Sequence, residues 1–297
     1  MAARALIAGC GYAGLRLARR LVADGVEVVG TVRQPSRAAD LEAVGVQPLI
    51  LEVDHEGPAP ALEELAPEVC FCLIPPASLD ADPRAGRVGR IVESLRRAPL
   101  ECFIYASSTG VYGDRGGALV DETTVPKPDS PKGEARLASE RRVLELGWKL
   151  DARPRIGRIG GIYGPDRTLG PAIREGRYQL IRNRDSWTSR IHVDDLARGL
   201  EAIWKAGANG RVYNLCDDEP HLSSEYARFT AQLLGLDLLE IGEDIARDLY
   251  DPDRLARKLG SRRVSNRRMR EELGVELAYP TFREGVPAAL KEEGSLA

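Results

Sequence analysis

A chain of 297 residues, 43% hydrophobic and 29% charged, is long enough to bury one large core or a core with a smaller lobe, and it has the balance of an ordinary globular protein. Its net charge of -3, with Asp and Glu interleaved among the arginines, argues against a nucleic-acid partner. No apolar run approaches the roughly 20 residues that cross a bilayer, and the N-terminus enters a strand rather than an apolar leader, so a cytoplasmic protein with no membrane partner is expected. The five cysteines, Cys10, Cys70, Cys72, Cys102 and Cys216, read as buried free thiols. No second Cys pair and no nearby His completes a metal site with Cys70 and Cys72, so no metal is expected.

The chain opens with an apolar strand, Ala5 to Ala8, then Gly9-Cys10-Gly11-Tyr12-Ala13-Gly14, then helical spacing from Leu15 to Val22. Gly9 permits the tight turn, Gly11 lets the backbone approach a pyrophosphate, and Gly14 lets the helix pack on the strand. The helix N-terminus, with Tyr12 and Ala13 in the turn, supplies amides for the anion. A second strand, Val26 to Val32, completes a βαβ unit and gives the glycine pattern the context of a dinucleotide site. Arg33 closes that strand where an acidic residue would take ribose hydroxyls, and Ser36 and Arg37 follow. A guanidinium fork with a neighbouring hydroxyl suits a 2′-phosphate, so NADP is favoured over NAD.

A helical stretch from Arg37 to Val44 leads into a third strand, Val46 to Asp54, interrupted early by Pro48. Asp54, at the carboxyl edge of the sheet, either accepts from the adenine amine or caps the next turn. Val69 to Ile74 is a continuous apolar run that fits a central strand buried on both faces; it is ended by Pro75, which is counted with the cofactor-binding residues. A helix from about Pro83 to Arg97 carries Val88, Ile91, Val92 and Leu95 on one face, which either covers the sheet or forms a dimer seam. The strand Cys102 to Ser107 then delivers Ser107, Ser108 and Thr109 to the carboxyl edge.

From that strand onward, Ser107-Ser108 followed by Tyr112-Gly113 resembles the active-site strand of the atypical and extended short-chain dehydrogenase/reductases, the group of NAD-dependent epimerase/dehydratase-like proteins. The resemblance implies that Ser108 polarises a substrate oxygen and that Ser107 lies beside the cofactor. The family's next helix carries Tyr-x-x-x-Lys, but here Ser130-Pro131-Lys132-Gly133-Glu134-Ala135-Arg136 places Lys132 and Arg136 at those positions. The two are one helical turn apart. Either Arg136 holds ribose hydroxyls and depresses the pKa of Lys132, making the lysine a general acid, or Lys132 is a surface residue in a protein that binds NADP without catalysis. Tyr112, Asp114 and Tyr163 are further candidate proton donors, whose distance from the nicotinamide the sequence does not fix.

Arg158-Ile159-Gly160-Gly161-Ile162-Tyr163-Gly164-Pro165 resembles the family's strand and loop beside the nicotinamide, which assigns Gly160 to the cofactor and Tyr163 to the substrate. Residues 166–188 hold Arg167, Arg174, Arg177, Arg182 and Arg184, either a solvated face or a site for an anionic substrate group. Ser189-Arg190-Ile191-His192-Val193-Asp194-Asp195-Leu196-Ala197 matches the family segment that returns to the first domain. It makes Arg190 a candidate substrate contact and His192 a structural imidazole beside two aspartates that start a helix. Tyr213-Asn214-Leu215 resembles a further family strand, His221 reads as a surface residue, and Ser265 or Asn266 caps a late helix.

The implied fold is α/β, a Rossmann-type doubly wound parallel sheet with a smaller C-terminal substrate lobe. Residues 1–163 and 190–216 form the NADP-binding domain, and 164–189 and 217–297 the lobe. The implied activity is an NADP-dependent oxidoreductase or epimerase/dehydratase acting on a small molecule, anionic or sugar-like. The alternative is a catalytically impaired NADP(H) sensor. Family members dimerise through the helices near 83–97 and 131–146, so a homodimer is expected.

Overall fold

The computed structural model describes residues 3–54, 59–76, 86–149 and 151–296. Seven strands make one sheet: β1 (Arg4–Ala8), β2 (Glu27–Val32), β3 (Gln47–Ile50), β4 (Val69–Cys72), β5 (Cys102–Ser108), β6 (Pro154–Ile159) and β7 (Val212–Leu215). They run β7-β6-β5-β4-β1-β2-β3 across the sheet, and every pairing is parallel. This is the doubly wound arrangement the sequence implies, with its change of direction between β1 and β4.

The apolar runs are continuous because both faces of the sheet are covered. Ala5, Ile7, Val69, Phe71, Cys102 and Ile104 point into one core, while Leu6, Ala8, Cys70, Cys72, Phe103 and Tyr105 point into the other. Three helices cover the first core: α1 (Tyr12–Ala23), α4 (Val193–Ala206) and α7 (Arg267–Leu273), through Leu17, Leu21, Leu200, Ile203 and Met269. The second core lies under α2 (Arg87–Ser94) and α3 (Pro131–Lys149), through Val88, Ile91, Val92 and Val143. The apolar face of α2 therefore covers the sheet; the part of this helix expected before residue 86 lies outside the described residues. All five cysteines are buried, and burial pushes the Cys10 and Cys72 thiols up to about 12.

β3 is shorter than expected. Pro48 brings no N–H to the ladder, which an edge strand tolerates; beyond Ile50, Leu51 still donates its N–H to the Val32 carbonyl at 2.9 Å, and Leu51 and Val53 stay buried.

The C-terminal lobe is built on α5 (Ser223–Leu234), α6 (Pro252–Leu259) and α8 (Phe282–Glu292), with short strand pairs between 179 and 241. Its core is an aromatic cluster of Tyr163, Tyr226 and Phe282 with Val286 and Leu290. Two expectations change here. Tyr163, assigned to substrate, is fully buried in that cluster, 5.9 Å from the Tyr226 ring, with its hydroxyl turned toward the Thr281 carbonyl. His221, read as a surface residue, is 1% exposed, with its ring centroid 4.4 Å from that of Phe282; burial lowers its pKa to about 4.

The lobe is tied to the sheet domain by Asp195, which is buried and accepts the N–H groups of Ala278 and Tyr279, both at 2.8 Å. His192 Nδ1 accepts the Asp194 N–H at the start of α4, the structural role expected of it. Ser265 accepts the Arg267 N–H, whereas the Asn266 amide reaches the Cys216 carbonyl instead of capping α7.

Candidate functional site

The carboxyl ends of β1, β2 and β4 open into a cleft of about 520 Å³, lined by residues 9–14, by Thr31 to Gln34, and by Leu73 to Pro75. The three glycines divide the work as their spacing implies. Gly9 has φ +89°, and a Cβ there would meet Ile74 Cγ1 at 2.9 Å. A Cβ on Gly14 would lie 3.0 Å from the Gly9 carbonyl oxygen, so only glycine lets α1 sit this close to the loop. Gly11 differs: a Cβ there meets nothing within 4 Å, so its backbone faces open space in the cleft. The loop is pinned to β2, since Gly9 N–H donates to Thr31 Oγ1 at 2.8 Å and Cys10 N–H to the Thr31 carbonyl at 2.9 Å. No acidic side chain sits in the first turn of α1 and no side chain caps it, which leaves its N–H groups for an anion.

Arg33 and Arg37 line the outer rim of the cleft, both exposed. Arg37 pairs with Asp40 at 3.1 Å, while Arg33 has no hydrogen-bonded partner among the described residues. Ser36 lies beside them but outside the lining. Asp54 is not in the lining either. The Arg87 guanidinium takes both of its carboxylate oxygens and holds its pKa below the usual carboxylate range. Asp54 thus orients Arg87, a cleft residue the sequence did not single out. Arg167 was noted only as part of a basic stretch; it lines the cleft at the other side, its guanidinium 5.4 Å from the Tyr12 ring centre. Tyr12 itself donates to the Pro165 carbonyl at 2.8 Å, fixing the loop after Gly164 against the cleft.

Beside the cleft, β5 ends at Ser108. The Ser108 Oγ accepts the Gly110 N–H at 3.1 Å, so its own proton remains available to another acceptor. Helix α3 begins against this turn, because Gly133 leaves a Cβ position only 3.1 Å from the Gly110 oxygen. Lys132 is therefore carried to the same edge as Ser108, exposed in the first turn of α3. One turn on, Arg136 is half-buried and donates to the Ala106 carbonyl of β5.

Two hydroxyls assigned to the site are held elsewhere. Ser107 donates to Glu140 Oε1 at 2.5 Å, and Glu140 in turn takes Arg158 through Nε at 3.0 Å and Nη2 at 2.7 Å. Tyr112 is buried beside this pair, its ring centre 4.9 Å from the Arg158 guanidinium, and its hydroxyl donates to Asn214 Oδ1 at 2.8 Å. Gly160 is a packing position, since a Cβ there would come within 2.8 Å of the Ser189 carbonyl oxygen. Arg190, by contrast, keeps its Nε buried with no hydrogen-bond partner among the described residues; its guanidinium lies 3.9 Å from the Tyr226 ring centre and its charge favours the buried Asp217 carboxylate.

Residues 5–216 match the model of the NAD dependent epimerase/dehydratase family. Protein YeeZ of Escherichia coli K12 is 26% identical over 288 residues, 92% of this chain and 95% of that protein. A 4-hydroxy-2-methyl-3-oxo-4-farnesyl-3,4-dihydroquinoline-1-oxide ketoreductase of Stigmatella aurantiaca is 28% identical over 235 residues, 71% of this chain and 67% of that one. A solved structure of a functionally unknown conserved protein from Silicibacter pomeroyi superposes with a TM-score of 0.85 at 31% identity, over 98% of this chain and 99% of that chain.

Proposed function

The chain belongs to the NAD dependent epimerase/dehydratase family, and from that premise we propose that it is an NADP-dependent oxidoreductase or epimerase acting on a small, anionic or sugar-like molecule. The observation that carries this reading is the cleft itself. It combines an open glycine backbone at Gly11 and an uncapped helix start with two guanidinium groups, Arg33 and Arg37, on the rim after β2. A dinucleotide fits this set: amides for the diphosphate, arginines for a phosphate on the adenosine ribose. The name of the Stigmatella aurantiaca relative, a ketoreductase, supports chemistry at a carbonyl carbon.

A dinucleotide held by the glycine loop and the start of α1 would supply hydride transfer to or from a substrate carbon. Ser108 donates its hydroxyl proton to the substrate oxygen and stabilises negative charge as it develops there. Lys132, at the same edge, supplies or removes the proton on that oxygen. Arg136 secures the end of β5 through the Ala106 carbonyl and keeps Ser108 in place.

Titration with NADPH and with NADH tests the reading. NADPH binds at least about tenfold more tightly, the contribution of one charge-assisted contact to phosphate, and Arg33→Ala removes most of that margin while leaving NADH unchanged. An NADH preference in the unaltered protein overturns the NADP assignment. Screening for substrate-dependent NADPH oxidation separates the enzyme from the sensor alternative, in which Lys132 and Arg136 no longer serve turnover.

A further inference from the structure

Four arginines line the cleft of about 520 Å³, and among the described residues no carboxylate does. Arg33 and Arg37 follow β2, and Arg87 opens α2, held by Asp54. Arg167 is the one contributed by the chain after β6, from the turn Gly164-Pro165-Asp166-Arg167. That turn is fixed from several sides. The Arg167 N–H donates to the Gly164 carbonyl at 2.9 Å, and the Tyr12 hydroxyl donates to the Pro165 carbonyl at 2.8 Å. Glu293, just past the end of α8, accepts the Asp166 N–H at 2.7 Å and the Thr168 hydroxyl at 3.3 Å. Asp166 sits at φ +60°, a left-handed backbone that is uncommon outside glycine and is held here by these contacts. The backbone is thus committed while the side chain is not. The Arg167 guanidinium has no hydrogen-bond or ion-pair partner among the described residues, only the Tyr12 ring with its centre 5.4 Å away. Asp194, whose charge also reaches the Tyr12 hydroxyl, is taken by Arg16 at 3.4 Å.

We infer that Arg167 is a diphosphate-binding residue, which grips the coenzyme from the wall facing the glycine loop, so that the dinucleotide is held between the start of α1 and the turn at 164–167. Tyr12 is the first residue of α1 and follows Gly11, whose backbone faces open space in the cleft. A cation poised over the Tyr12 ring is therefore carried to the helix end that an anion approaches. The amides there supply only about half an elementary charge, whereas a diphosphate carries a negative charge on each phosphoryl group. A guanidinium adds a full charge and a planar fork that can bridge two oxygens. Arg33 and Arg37 meet only a phosphate that NADPH has and NADH lacks; Arg167 meets the part common to both. The same contact ties the turn, and through Glu293 helix α8, to the bound coenzyme. The inference rests on the cofactor reading and adds to it a residue from outside the βαβ unit.

Calorimetric titrations of the unaltered protein, Arg167→Met and Arg167→Lys with NADPH, NADH, ADP-ribose and ADP test it, with thermal melts of each protein alone. Arg167→Met keeps the apolar stem against Tyr12 and weakens all four ligands by one common factor of about ten or more, so the ratio of NADPH to NADH affinity does not change. Arg167→Lys recovers part of the loss, and the melting temperatures agree within about 2 °C. Equal binding of NADPH by Arg167→Met and the unaltered protein overturns the inference and leaves the cofactor reading standing. So does a loss confined to NADPH, which moves Arg167 to the ribose phosphate, or one that spares ADP-ribose and ADP, which moves it to the nicotinamide end. A lower melting temperature with no recovery by lysine makes Arg167 a packing residue and also overturns it. If neither coenzyme binds the unaltered protein while ADP binds with the Arg167 dependence, the cofactor reading falls and the diphosphate contact stands; if nothing binds, both fall.

Discussion

Replacing Glu140 by alanine removes one end of the most deeply buried ion pair among the described residues. Its side chain is 3% exposed and that of Arg158 is 5% exposed, and the two are joined by two hydrogen bonds. Without Glu140, the Arg158 guanidinium stays in the core beside the Tyr112 ring with no anion, and Ser107 loses its acceptor. Breaking a buried pair from one side costs about 3–5 kcal/mol, and the orphaned hydroxyl adds part of a further 1–3 kcal/mol, so a loss of about 4–5 kcal/mol is expected. With a urea m-value of at least about 3 kcal/mol/M, the unfolding midpoint drops by about 1 M or somewhat more. Glu140→Leu combined with Arg158→Met removes both charges together and recovers to within about 2 kcal/mol of the starting protein, because an apolar pair of similar volume avoids desolvation. Urea unfolding followed by circular dichroism measures all three proteins. A loss under about 1 kcal/mol for Glu140→Ala, or a double variant as unstable as the sum of its single changes, refutes the assignment of the pair as a coupled unit.

Gly9 and Gly11 respond oppositely to alanine. Gly9→Ala forces a left-handed backbone and a contact with Ile74, lowering stability by about 1–3 kcal/mol. Gly11→Ala, at φ -89° and with open space around its Cβ, leaves the melting temperature within about 2 °C but weakens NADPH about tenfold or more by filling the face the diphosphate approaches. Thermal melts and coenzyme titrations on the two variants separate these effects. Acid sensitivity traces in part to His221. Its folded pKa of about 4 lies below the unfolded value of about 6.5, so its contribution is complete above pH 6.5 and is lost as pH falls toward 4. Between pH 7 and pH 5 this amounts to about 2 kcal/mol, and His221→Phe flattens the profile of urea midpoint against pH by that amount. An unchanged profile counts against a buried neutral imidazole.

The parts of the fold legible in the sequence are those governed by short-range rules. Val69 to Cys72 reads as a central strand because parallel strands covered on both faces are apolar at every position, and those residues do divide between the two cores. The Gly9 and Gly14 positions are legible because a positive φ and close packing demand glycine there, whereas Gly11 meets no such local constraint. What sequence position hides is where a side chain finds its partner. Tyr112 meets Asn214 across 102 residues, and Tyr163 turns to Thr281 across 118, so both look like available proton donors until the chain is folded. His221 carries no local signal of burial, because its neighbours Phe282 and Tyr226 come from two different helices. Asp54 was placed at the correct edge, yet its partner Arg87 follows a whole strand later.

The same distinction bears on the two replaced letters of helix α3. Lys132, Arg136 and Glu140 are spaced by four and share one face of the helix, and they meet the end of β5 at increasing depth. Lys132 is exposed, Arg136 is half-buried on the Ala106 carbonyl, and Glu140 is buried on Ser107. The deep anchor and the close approach at Gly133 hold the helix start against the Ser108 turn, so exchanging the outer residues alters the groups presented without moving the helix. A guanidinium in place of an ammonium suits this position, because a planar fork can bind the strand carbonyl with one nitrogen and keep other N–H groups for a second acceptor. The two positions that resemble the family's usual pair thus lie in the outer part of this face, Lys132 exposed and Arg136 half-buried, above an anchor at Glu140 that the rest of the core holds in place.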